Sequence, residues 1–400
     1  MIGSRLYRVI LIVALYALVS TSAFAAARLE NFRIGVDGNR TRIVIDLNEK
    51  VSFKYFTLAD PYRVVIDLPA LTWQQDMRLP AWKGLVKNLR FGLFSTDVMR
   101  IVLDATGPVS VSKIFLLEPS AGFNYRLVID LETSPEAAFR AAIDARRAAE
   151  SASSAPAVAP SEPLRSAAKP KNSKPVIVID AGHGGVDPGA HGRKAREKDV
   201  VLAFAREFAA VLRQSGRYEV HLTRDRDIYI PLRERVNIAR RHDANLFISI
   251  HADAIERKNV RGMSIYTLSE TASDKEAAAL ARQENRSDII AGIDFGNQPS
   301  EVTNILIDLA QRETKNLSVK FANTVVNKMN GKTELLERTH RFAGFRVLKA
   351  PDVPSVLIEL GFLTNRNDEK LLVSSKWRKS VSAALKEAVD RYFSGLANNS

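Results

Sequence analysis

Four short segments written in one grammar constrain the first third of this chain. They are Arg42-Ile-Val-Ile-Asp46-Leu, Arg63-Val-Val-Ile-Asp67-Leu, Arg100-Ile-Val-Leu-Asp104-Ala and Arg126-Leu-Val-Ile-Asp130-Leu. Each is a run rich in β-branched residues, entered by arginine and closed by aspartate. The stretches between them, such as Val51-Ser-Phe-Lys-Tyr-Phe and Val109-Ser-Val-Ser-Lys-Ile-Phe, alternate apolar and polar residues as half-buried strands do. Residues 28–132 are therefore expected to form an all-β sandwich domain. Repetition in two pairs predicts two similar sheets packed face to face.

The grammar then stops. Residues 136–150 are Ala-rich and helix-forming, and residues 151–175 are Ser, Ala, Pro and Lys with almost no bulky apolar side chain. Such a stretch cannot bury a core and reads as an extended linker, so residues 133–174 separate two domains. Beyond residue 174 strands alternate with helices. Strands are predicted at 176–180, 218–223, 246–251, 263–268 and 356–360, and helices at 199–214, 231–241, 273–285, 302–329 and 376–393. That order predicts an α/β domain over 175–394, a central mixed sheet flanked by helices, in which functional groups collect at the carboxyl ends of the strands.

Arg5 and Arg8, the apolar run 9–19 and Ala23-Phe24-Ala25 have the layout of a signal peptide cleaved after residue 25. The run is too short for a membrane span, which needs roughly 20 residues, so no stable span is expected after cleavage. An exported chain with no cysteine has no disulfides, and any metal site in it must be built from His, Asp and Glu. The formal charge of +13 is spread along the chain and suits an anionic polymer or membrane as well as nucleic acid. Nucleic acid is not the expected partner, and a monomer is expected.

Two histidines share a context that suits a metal. Asp180-Ala-Gly-His183-Gly-Gly follows one apolar strand, and Leu246-Phe-Ile-Ser-Ile-His251-Ala-Asp253 ends another. Both imidazoles then lie on one sheet edge. Zinc accepts neutral imidazole and carboxylate, and a catalytic site supplies three protein ligands with a position left for water. Glu197, in the polar segment before the helix expected from residue 199, is the candidate third ligand; its other reading is a helix-capping carboxylate. In Val356-Leu-Ile-Glu359-Leu-Gly-Phe-Leu-Thr-Asn365 a carboxylate interrupts an apolar strand. Glu359 is either the general base or a strand residue paired with a cation such as Arg346. His191 could touch substrate, whereas His221, His242 and His340 read as structural or solvent-facing.

Taken together, Asp180-Ala-Gly-His183-Gly-Gly, Glu197, Ser249-Ile-His251-Ala-Asp253 and Ile358-Glu359-Leu-Gly-Phe-Leu-Thr-Asn365 resemble the N-acetylmuramoyl-L-alanine amidases of the type-3 zinc family, the AmiA/AmiB/AmiC group. Residues 28–132 resemble the AMIN domain that accompanies the AmiB and AmiC types. The resemblance implies Zn2+ as cofactor, peptidoglycan as substrate, and cleavage of the amide between N-acetylmuramic acid and L-alanine with Glu359 managing the proton. It also implies a periplasmic enzyme of cell division, directed to the wall by its first domain, with Arg233 and Asn365 in supporting positions.

Residues 269–315 form a polar excursion too long for a simple connection, as lids and binding loops are. In amidases of the resembled group a helix here occludes the zinc until an activator displaces it. The resemblance thus implies a blocking glutamate, Glu284 with Glu276 as rival, and a LytM-type (EnvC/NlpD-like) activator protein. A non-catalytic wall-binding protein and a zinc peptidase acting on the stem peptide are the competing readings.

Overall fold

The computed structural model describes residues 27–74, 77–153, 174–255, 257–294 and 305–397. The expected signal peptide and most of the expected linker fall outside these residues.

The N-terminal domain is a sandwich of two sheets. One contains β1 (Arg28–Asp37), β2 (Arg40–Leu47), β5 (Thr72–Trp73), β8 (Val109–Leu117) and β9 (Tyr125–Thr133), in the order β5-β1-β2-β9-β8. The other contains β3 (Lys54–Leu58), β4 (Arg63–Pro69), β6 (Val86–Leu93) and β7 (Val98–Ala105), in the order β3-β4-β7-β6. The four repeats are the central strands, paired antiparallel two by two. Register therefore sets Arg42 opposite Asp130 and Asp46 opposite Arg126 in one sheet, Arg63 opposite Asp104 and Asp67 opposite Arg100 in the other. Alternate residues such as Ile43, Ile45, Val64, Ile66, Ile101 and Ile129 fill the core between the sheets.

The polar halves of the repeats form the same lattice on both outward faces. Arg42 grips Asp130 at 2.6 and 2.7 Å, and Arg100 grips Asp67 at 2.7 and 2.7 Å. Asp46 is taken by Arg33 of β1, and Asp104 by Arg90 of β6. Arg126 and Arg63 are thereby left to bind oxygens elsewhere: Arg126 the Ser120 hydroxyl, Arg63 main-chain carbonyls. Helix α1 (Glu136–Ser153) follows the sandwich and lays Phe139 edge-on against Tyr62.

The second domain holds a six-stranded mixed sheet. Its strands are β10 (Val176–Ala181), β11 (Glu219–Leu222), β12 (Leu246–His251), β13 (Met263–Leu268), β14 (Leu335–Ala343) and β15 (Ser355–Glu359), in the order β11-β10-β12-β15-β13-β14. Only the β13 to β15 pairing is antiparallel. One face is covered by α2 (Glu197–Gln214), α6 (Ile305–Met329) and α8 (Ser375–Ala397), the other by α3 (Leu232–Arg241) and α4 (Lys275–Glu284). Strands buried on both faces read as continuous apolar runs, which is why β10, β12 and β15 were visible in sequence. The edge strand β14, half exposed and polar, was not expected; nor were α5 (Ser287–Ile290) and α7 (Arg366–Leu372).

Main chain joins the two domains. The Leu93 carbonyl of β6 accepts the Tyr229 amide at 3.0 Å, and Gly92 lies so close to Gly185 that a Cβ would fall 2.4 Å from the Gly185 carbonyl carbon. Among the described residues no helix is long and apolar enough to cross a membrane.

Candidate metal centre

Three neighbouring strands deliver the site. His251 is the last residue of β12, Glu359 the last of β15 and directly opposite it in register, and His183 lies just past the end of β10. Two glycines allow the groups to approach. A Cβ on Gly182 would come within 2.5 Å of the His251 ring, and one on Gly189, at φ +65, within 2.7 Å of both Glu197 Oε2 and His183 Cδ2. His183 itself stands at φ +55, a strained conformation for a side-chain-bearing residue and one that aims the ring inward.

Glu197 belongs to the first turn of α2, which starts two residues earlier than expected, so it is a helix residue rather than part of the preceding loop. The Arg196 side chain makes no capping bond there, and the Glu197 carboxylate is spent inward instead. Its Oε2 accepts the Ala190 amide at 2.8 Å and its Oε1 the Ala252 amide at 2.9 Å. Oε1 also lies 3.2 Å from His183 Nε2 and 3.1 Å from His251 Nδ1.

Glu284, the last residue of α4, enters from the other side. Its Oε2 lies 3.2 Å from His183 Nε2 and 3.1 Å from His251 Nδ1. Each carboxylate oxygen thus lies 3.1 to 3.2 Å from both imidazole nitrogens, close to the ligand–ligand edge of about 3.3 Å expected when ligands sit about 2.0 Å from a tetrahedral zinc. His183, His251 and Glu284 form a group able to hold a metal ion, with ligand atoms within 4.8 Å of one another. Glu276 is exposed and pairs with Arg257 at the opposite end of α4.

Orphaned atoms fit the same reading. Among the described residues, His183 Nε2, Glu284 Oε1 and Glu359 Oε1 are buried without hydrogen-bond partners. His183 Nδ1 donates to Asp187 Oδ2 at 2.9 Å, which leaves the Nε2 lone pair facing the cluster. Burial lowers the basicity of both rings, but the surrounding carboxylates more than reverse it, Glu197, Asp187 and Glu284 for His183 and chiefly Glu284 and Glu197 for His251, which rises to about 10. The pocket attracts positive charge.

Glu359 is fully buried, and its Oε2 accepts the Asp253 amide at 3.0 Å. Burial and the negative charges of Asp253, Glu197 and Glu284 push its carboxyl well above the usual range, against the pull of His251. The rival reading of Glu359, a strand carboxylate paired with a cation such as Arg346, finds no such bond among the described residues.

Arg233 is exposed on α3, whereas Arg235, two residues on, is fully buried. Arg235 bonds Asp180 Oδ1 at 2.9 Å, the Ala181 carbonyl at 2.7 Å and the His183 carbonyl at 2.8 Å. Asp180 also receives the hydroxyls of Thr223 and Ser249 at 2.6 and 2.7 Å. This network fixes the strand end that carries His183. Asn365 caps α7, accepting the Asn367 amide at 2.9 Å, and donates to the Lys258 carbonyl at 2.9 Å. His191 is exposed, His221 stacks on His242 at 3.7 Å, and His340 meets the Thr267 hydroxyl at 3.1 Å. Asp187 escaped notice in the sequence, although its place four residues after His183 in Gly-Gly-Val-Asp-Pro-Gly was a usable signal.

Comparison with known proteins shows the family. The model of the N-acetylmuramoyl-L-alanine amidase family matches residues 177–391, and that of the AMIN domain residues 31–131. Over 392 residues the chain is 32% identical to N-acetylmuramoyl-L-alanine amidase AmiC of Escherichia coli O6:H1, covering 95% of this chain and 93% of that one. It is 40% identical over 233 residues to AmiA of Escherichia coli K12, covering 58% and 80%. Among solved structures, AmiC2 of Nostoc punctiforme is 28% identical, covers 56% of this chain and 98% of its own, and gives a TM-score of 0.40. A family match over more than half the chain and a relative aligned over nearly its whole length lead to one statement: the chain belongs to the N-acetylmuramoyl-L-alanine amidases, as an AmiC/AmiB-like peptidoglycan amidase with an AMIN domain before its catalytic domain.

Proposed function

We propose that this amidase works with zinc held by His183, Glu197 and His251, and that at rest Glu284 fills the fourth position. The observation that supports this reading is the convergence of Glu197 Oε1 and Glu284 Oε2 on the same two imidazole nitrogens at 3.1 to 3.2 Å. Both histidines and Glu197 come from the sheet edge and its neighbouring helix, whereas Glu284 comes from the excursion that the sequence marks as a lid.

When bound, zinc would polarise the lactyl carbonyl of N-acetylmuramic acid and lower the pKa of water. Glu359 accepts the proton from the attacking water and delivers it to the leaving nitrogen of L-alanine. Its partnerless Oε1 is the atom for that task, while Oε2 is held by the Asp253 amide. Asp187 fixes the tautomer of His183, and Arg235 holds its main chain. Glu284 must withdraw before substrate reaches the site, and a LytM-type activator protein would draw α4 away. The AMIN domain would direct the enzyme to peptidoglycan at the division site of the periplasm, where daughter cells separate.

Basal hydrolysis of dye-labelled sacculi by Glu284→Ala is the test, with stem peptides bearing N-terminal alanine as the product measured by mass spectrometry. We expect release to rise about tenfold or more over the unmodified chain, since one charge-assisted contact is removed. Equal basal rates would remove Glu284 from the role of plug. Trimmed stems still attached to sugar would point to peptidase chemistry.

A further inference from the structure

The outward face of the β3-β4-β7-β6 sheet is covered, and what covers it is the continuation of the α4 lid. Arg63 donates to the Ile289 carbonyl, Arg90 to the Ile290 carbonyl at 3.3 Å, and Arg100 to the carbonyls of Ala291 and Gly292 at 3.3 and 3.1 Å. Asp294 is held by Arg147 at 2.6 Å and by Arg146, both on α1. Between these polar contacts, Ala291 is buried with Val65 and Val102 of the sheet and with Val186 and Tyr229 of the catalytic domain. Gly292, at φ +70, sits so tightly that a Cβ would lie 3.1 Å from Val65 Cγ2 and 3.3 Å from Val102 Cγ2.

The duplicated lattice supplies the comparison. Arg33 and Arg42 on the other sheet have side chains 41% and 44% exposed. Their counterparts Arg90 and Arg100 are 16% and 8% exposed. The same residues in the same register are therefore open on one sheet and used on the other. Arg63 is the sharpest case, because its bonds go to the Pro61, Ala59 and Ile289 carbonyls and, among the described residues, to no carboxylate. An almost fully buried guanidinium of this kind is retained only if the carbonyls it meets stay in place.

Only Asn285 and Arg286 separate Glu284 from α5, and both are tied down. Their amides donate to the Ala281 and Gln283 carbonyls at 3.0 Å each, and Asn285 bonds the Gly344 carbonyl at 2.9 Å. The segment is gripped from the catalytic side as well, where Asp288 accepts the Tyr229 hydroxyl at 2.7 Å and the Leu232 amide at 2.9 Å. Withdrawal of Glu284 therefore pulls on residues 287–294.

We propose that the β domain is a latch: the face of β3, β4, β7 and β6 binds residues 287–294 of its own chain through Arg63, Arg90 and Arg100, and so holds Glu284 in the metal site. This rests on the reading of Glu284 as the plug. It gives the N-terminal domain control of access to the active site, apart from any role in locating the wall. Opening requires the carbonyls of residues 289–292 to leave the three guanidiniums.

The test uses the full chain loaded with zinc. Arg63→Gln removes one guanidinium and strips no carboxylate of its partner. We expect amide exchange across residues 289–293 to rise about tenfold, the worth of one hydrogen bond to a charged group, and basal sacculus hydrolysis to rise in step. The second variant is Val65→Cys with Gly292→Cys, whose disulfide is the only one possible in a chain without cysteine. Oxidised protein should lose zinc to a chelator about tenfold more slowly than the same protein reduced. Unchanged exchange and hydrolysis in Arg63→Gln, or equal zinc loss in the two redox states, overturns the latch. Glu284→Ala run alongside separates the two ideas: if it raises hydrolysis while Arg63→Gln does not, the latch alone fails. If Arg63→Gln speeds exchange while neither variant raises hydrolysis, the plug fails and takes the latch's control of access with it.

Discussion

Asp187 stands between His183 and α5: its Oδ2 accepts the His183 Nδ1–H at 2.9 Å and also the hydroxyl of Ser287. The carboxylate that orients one candidate zinc ligand is thus shared with the first residue of α5. Asp187→Asn should weaken zinc binding about 10- to 100-fold, the usual cost of losing an outer-shell carboxylate. Competition with a fluorescent chelator measures it, and unchanged affinity would mean that the His183 tautomer is fixed by something else.

Chelation should abolish hydrolysis, with zinc restoring it. Zinc held at 100 times its dissociation constant should add about 2.7 kcal/mol to unfolding stability. Glu359→Gln, by contrast, should bind zinc with the same stoichiometry and lose about 100- to 10,000-fold in hydrolysis rate. Metal analysis beside the rate assay distinguishes the two cases. A Glu359→Gln enzyme with near-normal rate would place the proton transfer on another group.

Arg235→Met should cost about 3 to 5 kcal/mol, because Asp180 would be left buried without its cation. Urea denaturation gives the number. Asp180 sits below its ordinary pKa although burial pushes it up, with the charge of Arg235 foremost among the groups that outweigh burial. A loss under about 1 kcal/mol would mean that Thr223 and Ser249 suffice to hold it.

The pH dependence of α4 follows from Asp274. It caps α4 by accepting the Ala277 amide at 2.8 Å, and Arg341 bonds it at 2.9 Å. Burial raises its pKa, but the Ala277 amide, the Ser273 hydroxyl and Arg341 together leave it below the ordinary value. A carboxylate depressed in the folded state contributes all of its stabilisation above the unfolded value of about 4, and loses it as pH falls through the lower folded value. Amide protection of α4 should therefore hold from neutral pH to about 4 and decline below it. Asp274→Ala should show the acid-state protection at neutral pH, at a cost of about 1 kcal/mol for the lost cap.

What could be read in the sequence follows burial. β12 and β13 were bounded correctly because each strand is buried along nearly its whole length. Among the described residues β14 pairs only with β13, and its exposed or half-exposed Glu, Arg, Thr and His side chains carry no two-residue alternation. The two histidines and Glu359 were legible because a polar residue ending an apolar run has few cheap explanations. Arg233 and Arg235 lie two apart on one helix, hence on opposite sides of it, and nothing local says which side is inward. The grip of Arg63 on Ile289 spans 226 residues and leaves no trace in either segment.

If the face of β3, β4, β7 and β6 latches the plug as proposed, the Arg-to-Asp repeat has a genetic consequence. One duplicated sheet presents two copies of a cationic lattice, and damage to them is unequal. Lesions in the open copy, at Arg33 or Arg42, would leave an enzyme that is still quiet when idle. Lesions in the covered copy would act as dominant alleles, toxic through excess hydrolysis even beside an intact gene. A mutational scan of the N-terminal domain should therefore split its own symmetry: recessive on one face, lethal on the other.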